Sequence, residues 1–391
     1  MSTRLPRIVI LLGLVSLFAD MTYEGGRSVL GPYMDYFKAS GAIVGALSIG
    51  ELLMHLSKGL GGYLGDRAKT EKSRWAILFA GYGLNLLSVP LLAFAGSWMC
   101  VFILVIAERV GKGLKTPVRD ALLAEASVGY GRGRAFGIHE ALDQVGAIVG
   151  PLYLGLSMMT GHTYRMGFLS LSIPAAISLS ILAYTYLWNK SSTTKFDTME
   201  SENPISTHLS LSAYILLVSL LSAGIVQWAL LSFVLSRGGI NVSLIAYSYA
   251  AAMGIDALTA LGAGFIYSRI GLKTLWTIPL LSVLASLPFI SPKSASLVLI
   301  SIVSWGMVMG LEESVFRAAI GDIASKTSLA GAYGTYGLSV GLSGFAGNLF
   351  MGYLADTKPV AIPLFVILIE LVAISALINA SRRVSYQSQT S

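Results

Sequence analysis

The chain has 391 residues, 54% of them apolar and only 12% charged, with a formal net charge of +7 and a mean hydropathy of +0.72. Soluble domains carry roughly a quarter charged residues, so this composition excludes a soluble globular protein and indicates an integral membrane protein. The positive charge reads as anchoring on an anionic inner leaflet and not as nucleic-acid binding, because no basic domain is present to grip a duplex.

A bilayer core of about 30 Å takes roughly 20 apolar helical residues per crossing, and the apolar runs are too long for barrel strands. Backbone amides in lipid must bond within their own segment, so the expected fold is all-α, with twelve transmembrane helices. In chain order the runs are 7–36, 42–64, 75–95, 98–121, 134–157 and 165–188, then 209–236, 242–267, 274–291, 295–322, 331–354 and 360–379. The first run extends past any short signal core and lacks an evident small-residue processing site, so it is expected to remain as a helix. Residues 189–208, "NKSSTTKFDTMESENPISTH", are polar and read as a cytoplasmic linker. The expected organisation is therefore a six-helix bundle over 1–188, the linker, and a second six-helix bundle over 209–391 with a short tail. The single cysteine, Cys100, excludes an internal disulfide and a thiolate metal cluster.

Cations set the orientation. With both termini inside, the inner segments collect most of them, including Arg67, Lys69, Lys72, Arg74, Lys115 and Arg119, while the outer turns keep Lys38, Arg165, Arg237, Lys293 and Lys358. The expected location is the cell membrane, multi-pass, with both termini cytoplasmic. On this topology "GGYLGDRAKTEKSRW" at 61–75 is the inner turn between the second and third helices, and "GAGFIYSRIGLKT" at 262–274 joins the eighth to the ninth. Gly62, Arg67, Asp120 and Gly150 recur at a constant shift of 202 as Gly264, Arg269, Asp322 and Gly352. The chain reads as a tandem repeat, and repeated bundles of this kind place a substrate site between halves near the bilayer midplane.

Twelve spans in two halves, with Gly62, Leu64, Asp66 and Arg67 in G-x-L-x-D-R spacing after the second helix, resemble the major facilitator superfamily of secondary transporters. The pattern departs afterwards, with Lys69 where a glycine is usual and Thr70 where a basic residue is usual. The second copy keeps Gly264, Arg269, Gly271 and Lys273 but has Ser268 in place of the aspartate. "RVGKG", Arg109 to Gly113, resembles the R-x-x-q-G motif of proton-coupled members, with Lys112 replacing the glutamine. Gly146, Gly150 and Pro151 resemble the G-x-x-x-G-P motif of antiporters, a spacing that also serves plain helix packing. The resemblance implies proton-driven antiport, drug:proton antiporter-like, in the direction of efflux.

Asp66 sits at the inner end of its helix, where carbonyls disfavour an anion unless cations offset it. It is expected to pair with Arg67 or Arg119 as a gate. Within the spans each charge costs at least about 2.5 kcal/mol at the bilayer centre unless paired or wet, so the buried charges are the candidate site. Asp20, Glu24 and Arg27 fall at i, i+4 and i+7 on one helical face, and Glu51, His55 and Lys58 repeat that spacing. Helix four adds Glu108, Arg109 and Lys112, helix five adds Glu140, Asp143 and Gln144, and the second half supplies the sparser Asp256, Glu312, Glu313, Arg317, Asn348 and Glu370.

In the superfamily, helices one, four, five, seven, eight, ten and eleven line the central cavity, and most of these residues lie on them. The expected substrate and proton site is Asp20, Glu24, Arg27, Arg109, Lys112, Glu140, Asp143, Asp256 and Glu312. Arg27, Arg109 and Lys112 would meet carboxylates or phosphates, and Asp143 and Asp20 would carry the proton, with Glu24 next. Trp75, Trp98, Trp188, Tyr184 and Tyr186 near span ends read as interface anchors. Trp228, Tyr247, Tyr249, Trp305, Tyr333 and Tyr336 are candidates for apolar contact or core packing.

The histidines lack a second histidine at ligand spacing, so no fixed metal and no cofactor is expected. An enzyme is not expected either, since H-E-x-x-H, the phosphate loop G-x-x-x-x-G-K-[ST] and the G-x-S-x-G elbow are all missing from the sequence. The expected function is alternating-access transport of an organic small molecule by a monomer, with the solute, protons and the bilayer as partners. The alternatives are export of a metal or other inorganic cation on hard oxygen ligands, and a passive channel.

Overall fold

The computed structural model describes residues 6–127, 130–190, 210–324 and 329–390. All regular structure among them is helical. Among the described residues, ten segments are long and apolar enough to cross a membrane. One of the ten, Val242–Phe289, covers 48 residues and two separate helices, while Trp98–Ala126, with its buried charges, is not among them. The expected linker, beyond its first two residues, lies outside the described residues.

The first run is broken at Val29 into α1 (Arg7–Ser28) and α2 (Leu30–Tyr36). The second gives α3 (Gly41–Ala46), whose N-terminal amide of Ile43 donates to the Ser40 hydroxyl, and α4 (Ile49–Arg67). Next, α5 (Glu71–Leu91) starts with a reciprocal Thr70–Ser73 capping box, and α6 (Trp98–Ala126) starts at Ser97. Helices α7 (Arg132–Met159), α8 (Tyr164–Ser170) and α9 (Ser172–Lys190) follow. Then come α10 (Leu211–Gly224), α11 (Trp228–Arg237), α12 (Val242–Ile270), α13 (Ile278–Ala285), α14 (Ala295–Leu311), α15 (Arg317–Ile323), α16 (Leu329–Thr357) and α17 (Ile362–Thr390).

By contact the chain forms two units. One comprises Met1–Val29, Leu53–Ser201 and Val242–Ala250, the other Leu30–Leu52, Glu202–Asn241 and Ala251–Ser391. The packing units thus differ from the repeat division of the sequence: residues 30–52 pack with second-half helices, and 242–250 pack with first-half helices.

Small residues explain the packing within the first unit. Hydrocarbon gives no hydrophobic drive between helices, so close backbone approach must supply dispersion instead. Gly146 and Gly150 of α7 lie directly on the backbone of Leu17 and Met21 of α1, and Gly111 of α6 lies on Asn85 of α5. Gly61 meets Leu114, and Gly113 meets Met54, which closes α4 onto α6. The Ser178 hydroxyl donates to the Val15 carbonyl at 2.7 Å and fixes α9 on α1. Trp75, expected at an interface, is buried and packs on Tyr186 with ring centroids 5.5 Å apart.

In the second unit Gly31 of α2 lies on the α11 backbone at Ala229 and Phe233, and Gly41 and Gly45 of α3 lie on Gly352 and Asn348 of α16. Gly306 and Gly310 of α14 lie on Ala252 and Asp256 of α12. An apolar core of Leu221, Leu275, Val315, Phe316, Ile320 and Ala373 fills the unit, and the Tyr214 hydroxyl within it donates to the Phe316 carbonyl at 3.0 Å. The seventh run is broken between α10 and α11. There the Gln227 amide donates to Asn348 Oδ1 at 2.8 Å, Asn348 Nδ2 donates to the Ile225 carbonyl at 3.0 Å, and Trp305 Nε1 donates to the Val226 carbonyl at 2.8 Å. A broken helix in lipid requires such substitutes for its lost backbone partners. Trp305 therefore serves the backbone, and Trp228 packs on it at 5.3 Å, both of them buried.

Candidate functional site

The i, i+4, i+7 face of α1 places its charges together as the spacing requires. Glu24, 3% exposed, is the centre. Arg27 Nη1 donates to its Oε1 at 3.1 Å, Lys112 Nζ of α6 stands 3.8 Å from the same oxygen, and the Tyr249 hydroxyl donates to Oε2 at 2.5 Å. Tyr249 reaches this site because the 242–250 segment of α12 belongs to the same unit. Lys112 also lies over the Tyr23 ring, 4.2 Å from its centroid. Asp20, one turn earlier, is buried on the same face.

A second network lies one to two turns away. Arg119 of α6 donates to Asp120 at 2.9 Å and to the Ser16 hydroxyl of α1 at 3.1 Å, and its Nη1 is 3.8 Å from Asp143 Oδ2 of α7. His139 Nε2 lies 3.6 Å from the same Asp143 oxygen and shares a 3.2 Å hydrogen bond with Ser16. Asp143 Oδ1 and the Gln144 side-chain oxygen are buried without a hydrogen-bond partner among the described residues. One carboxylate thus faces a fixed cation and a titratable imidazole together, an arrangement that can accept a proton and change partners.

Other expected members fall elsewhere. Arg109 is buried and paired with Glu108 at 3.3 Å, and Glu108 also accepts from Asn85 of α5 at 2.8 Å, so this charge is engaged towards α5. Glu140, one turn before Asp143, is exposed on α7. Asp256 and Glu312 belong to the second unit, Asp256 fully buried on α12 and Glu312 opening a π-helical turn over Glu312–Phe316.

The expected gate differs in its pairing. Asp66 and Arg67 are exposed at the end of α4. Arg67 stacks over Tyr63 at 4.4 Å, and Arg119 is drawn to Asp120, Ser16 and Asp143, all nearer to its own turn of α6. Gly62 is in ordinary contact with Pro117 of α6. Gly146 and Gly150 serve the α1 to α7 crossing, with Pro151 one residue further inside α7.

Sequence reasoning does not assign Ser16, His139, Lys115, Tyr249, Tyr23 or Tyr82 to the site. Lys115 reads by position as one of the inner cations, although its i+3 spacing from Lys112 puts both on one face of α6. Tyr249 reads from the sequence as an apolar contact or core residue, and Tyr23 and Tyr82 carry no polar signal of their own.

A multi-pass chain, helical over its described residues and carrying a buried charged face, has the form of a secondary transporter. The chain belongs to the major facilitator superfamily, whose sequence profile matches residues 12–348. It is 35% identical over 381 residues to an uncharacterized protein of Mycobacterium tuberculosis, covering 94% of this chain and 91% of that one. An uncharacterized MFS-type transporter of Methanocaldococcus jannaschii is 25% identical over 375 residues, covering 91% and 90%. Among solved structures, a variant of the nucleoside transporter NupG superposes with a TM-score of 0.75 at 15% identity, covering 96% of this chain and 100% of that one. A bacterial homolog of the human lysosomal transporter Spinster gives 0.71 at 16% identity, covering 96% of each chain. At such identities these structures show the shared fold alone. The protein is a multi-pass membrane transporter and not an enzyme.

Proposed function

We propose that this transporter is a proton-coupled antiporter of the drug:proton type that exports an organic small molecule by alternating access. Twelve crossings, with both termini on the cytoplasmic side of the cell membrane, fit the cation distribution, with the long Val242–Phe289 segment counted as two crossings and α6 as one. The chain works as a monomer in the bilayer, with the solute and protons as its partners. Asp20, Glu24, Arg27 and Lys112 form the solute region and Asp143 the proton carrier, with Arg109 supporting from α6 and Asp256 and Glu312 acting in the second half.

The observation that carries the reading is the Asp143 carboxylate between Arg119 and His139, with one oxygen left without a hydrogen-bond partner among the described residues. A proton on Asp143 weakens its hold on Arg119, and its loss restores that hold. Alternation between these pairings couples proton movement to rearrangement of α1, α6 and α7. The inorganic-cation alternative lacks comparable support, since no group of three or more His, Cys, Asp or Glu suited to a metal ion occurs among the described residues.

The test uses proteoliposomes with an imposed pH gradient and a panel of organic solutes. Wild-type protein should show gradient-driven uptake and trans-stimulated counterflow, the latter separating a carrier from a channel. Asp143→Asn should keep counterflow, which moves no net proton, and lose the response to the gradient. Full gradient dependence in that variant would remove Asp143 as the carrier.

A further inference from the structure

Lys115 is 2% exposed and fully inside the first unit, yet among the described residues it has no hydrogen bond and no carboxylate within 4.0 Å. Its ammonium lies 4.0 Å from the centroid of the Tyr82 ring and 5.5 Å from that of Tyr23. The Tyr82 hydroxyl is also buried and, among the described residues, has no hydrogen-bond partner within 3.5 Å. Asp20 of α1 and Asp143 of α7 face the ammonium from beyond ion-pair distance. Tyr faces attract a cation, but the three N–H donors of this ammonium find no acceptor among the described residues. Burying such a group is costly unless an acceptor arrives, and an oxyanion would supply one. Lys112, one turn earlier, brackets the Tyr23 ring from its other neighbour position at 4.2 Å and is tied only loosely to Glu24, at 3.8 Å.

We propose that Lys115 and Lys112, flanking the Tyr23 ring, seat the oxyanion of the transported solute, so that the substrate class is an organic anion with a carboxylate or phosphate ester on an apolar body. The oxyanion meets the Lys115 ammonium and the Tyr82 hydroxyl, and it draws Lys112 away from Glu24. The apolar part lies along the two tyrosine rings. Glu24 keeps Arg27 and Tyr249, so no carboxylate is stranded when Lys112 leaves it. This rests on the transporter reading above and gives its solute a charge.

Three probes of one shape test it on the purified full chain: benzoate, phenyl phosphate and, as the cation of matching size, benzylamine. Equilibrium binding is read by calorimetry and by thermal shift. Benzoate or phenyl phosphate should bind saturably, with the preferred one distinguishing carboxylate from phosphate, and benzylamine should not. Lys115→Met should weaken anion binding by about tenfold or more, and Lys115→Arg should retain most of it. Should Lys115→Met fail to elute as a monodisperse species, Lys112→Met carries the same test at a less buried position. Equal anion binding in wild type and the methionine variants, or binding of benzylamine in preference to both anions, overturns the proposal. Anion binding through Lys115 without any accompanying proton flux would leave this seat standing and remove proton antiport. Gradient-driven benzylamine flux with no anion binding would do the reverse.

Discussion

The Tyr249 hydroxyl donates to Glu24 Oε2 at 2.5 Å, joining residues 225 positions apart within one packing unit. Glu24 is too buried for water to replace this donor. A hydrogen bond to a charged group contributes about 1.5–3 kcal/mol, and leaving the acceptor unsatisfied costs at least as much. Tyr249→Phe should therefore destabilise this arrangement by about that amount and lower the melting temperature of the purified protein, with little change in packing volume. An unchanged melt together with unchanged counterflow would show that the bond holds nothing.

Arg237 offers a case in which two effects compete. Its guanidinium lies 3.4 Å from Asp35 and 3.1 Å from Asp356, but all three side chains are partly solvated, with Arg237 41% exposed. Such pairs contribute about 0–1 kcal/mol and are screened by salt. Asp356 does more: its two oxygens accept from the Gly41 and Ala42 amides, at 2.7 and 3.1 Å, at the start of α3. Loss of an N-terminal cap costs about 0.5–2 kcal/mol. Asp356→Ala should therefore destabilise more than Arg237→Gln, and only the Arg237 effect should fade in high salt. Equal, salt-sensitive losses would assign the effect to the ion pairs.

Helix periodicity alone brought Asp20, Glu24 and Arg27 onto one buried face, because a 3.6-residue repeat fixes direction whatever the tertiary context. The same rule, applied across helices, fails. Whether Arg119 reaches Asp66 or Asp143 depends on how α6 lies against α4 and α7, and no local pattern encodes that crossing. Glu140 shares the face of Asp143 by its i+3 spacing, yet it is exposed, because exposure depends on which helices cover that turn of α7 and no local pattern encodes it. Lys115 was legible by spacing but masked by the assumption that a cation near a span end belongs to the leaflet. The interleaving of 30–52 with second-half helices had no signal in the repeat, since it arises from glycines whose partners are hundreds of positions away.

Glycines at the motif positions have separable roles. A Cβ on Gly150 would run into the Met21 carbonyl and its backbone, which cannot yield without parting α1 from α7. A Cβ on Gly62 would meet only Pro117 at 3.8 Å, an ordinary contact. Gly150→Leu should cost about 1–3 kcal/mol or more and reduce the yield of folded protein in membranes, while Gly62→Ala should fold as wild type. Normal yield of Gly150→Leu, measured by size-exclusion of a fluorescent fusion, would show the α1 to α7 crossing to be looser than described.

The break between α10 and α11 depends most on Asn348, which is 1% exposed. It accepts from the Gln227 amide and donates to the carbonyls of Ile225 and Gly344, so one side chain replaces two lost backbone partners and anchors itself to its own helix. Leucine has nearly the same volume and none of this chemistry. Asn348→Leu leaves the Gln227 amide and the Ile225 carbonyl unsatisfied, each at about 1–3 kcal/mol, because no water enters apolar packing to rescue them. Trp305→Phe removes a single donor, that to the Val226 carbonyl, and should cost roughly half as much from the hydrogen bond, plus a small loss of packing on Trp228. Thermal melts of the purified variants should therefore fall in the order wild type, Trp305→Phe, Asn348→Leu. A melt of Asn348→Leu equal to wild type would mean that the chain heals the break by closing α10 and α11 into one helix, and a rise in helical circular dichroism would then accompany it.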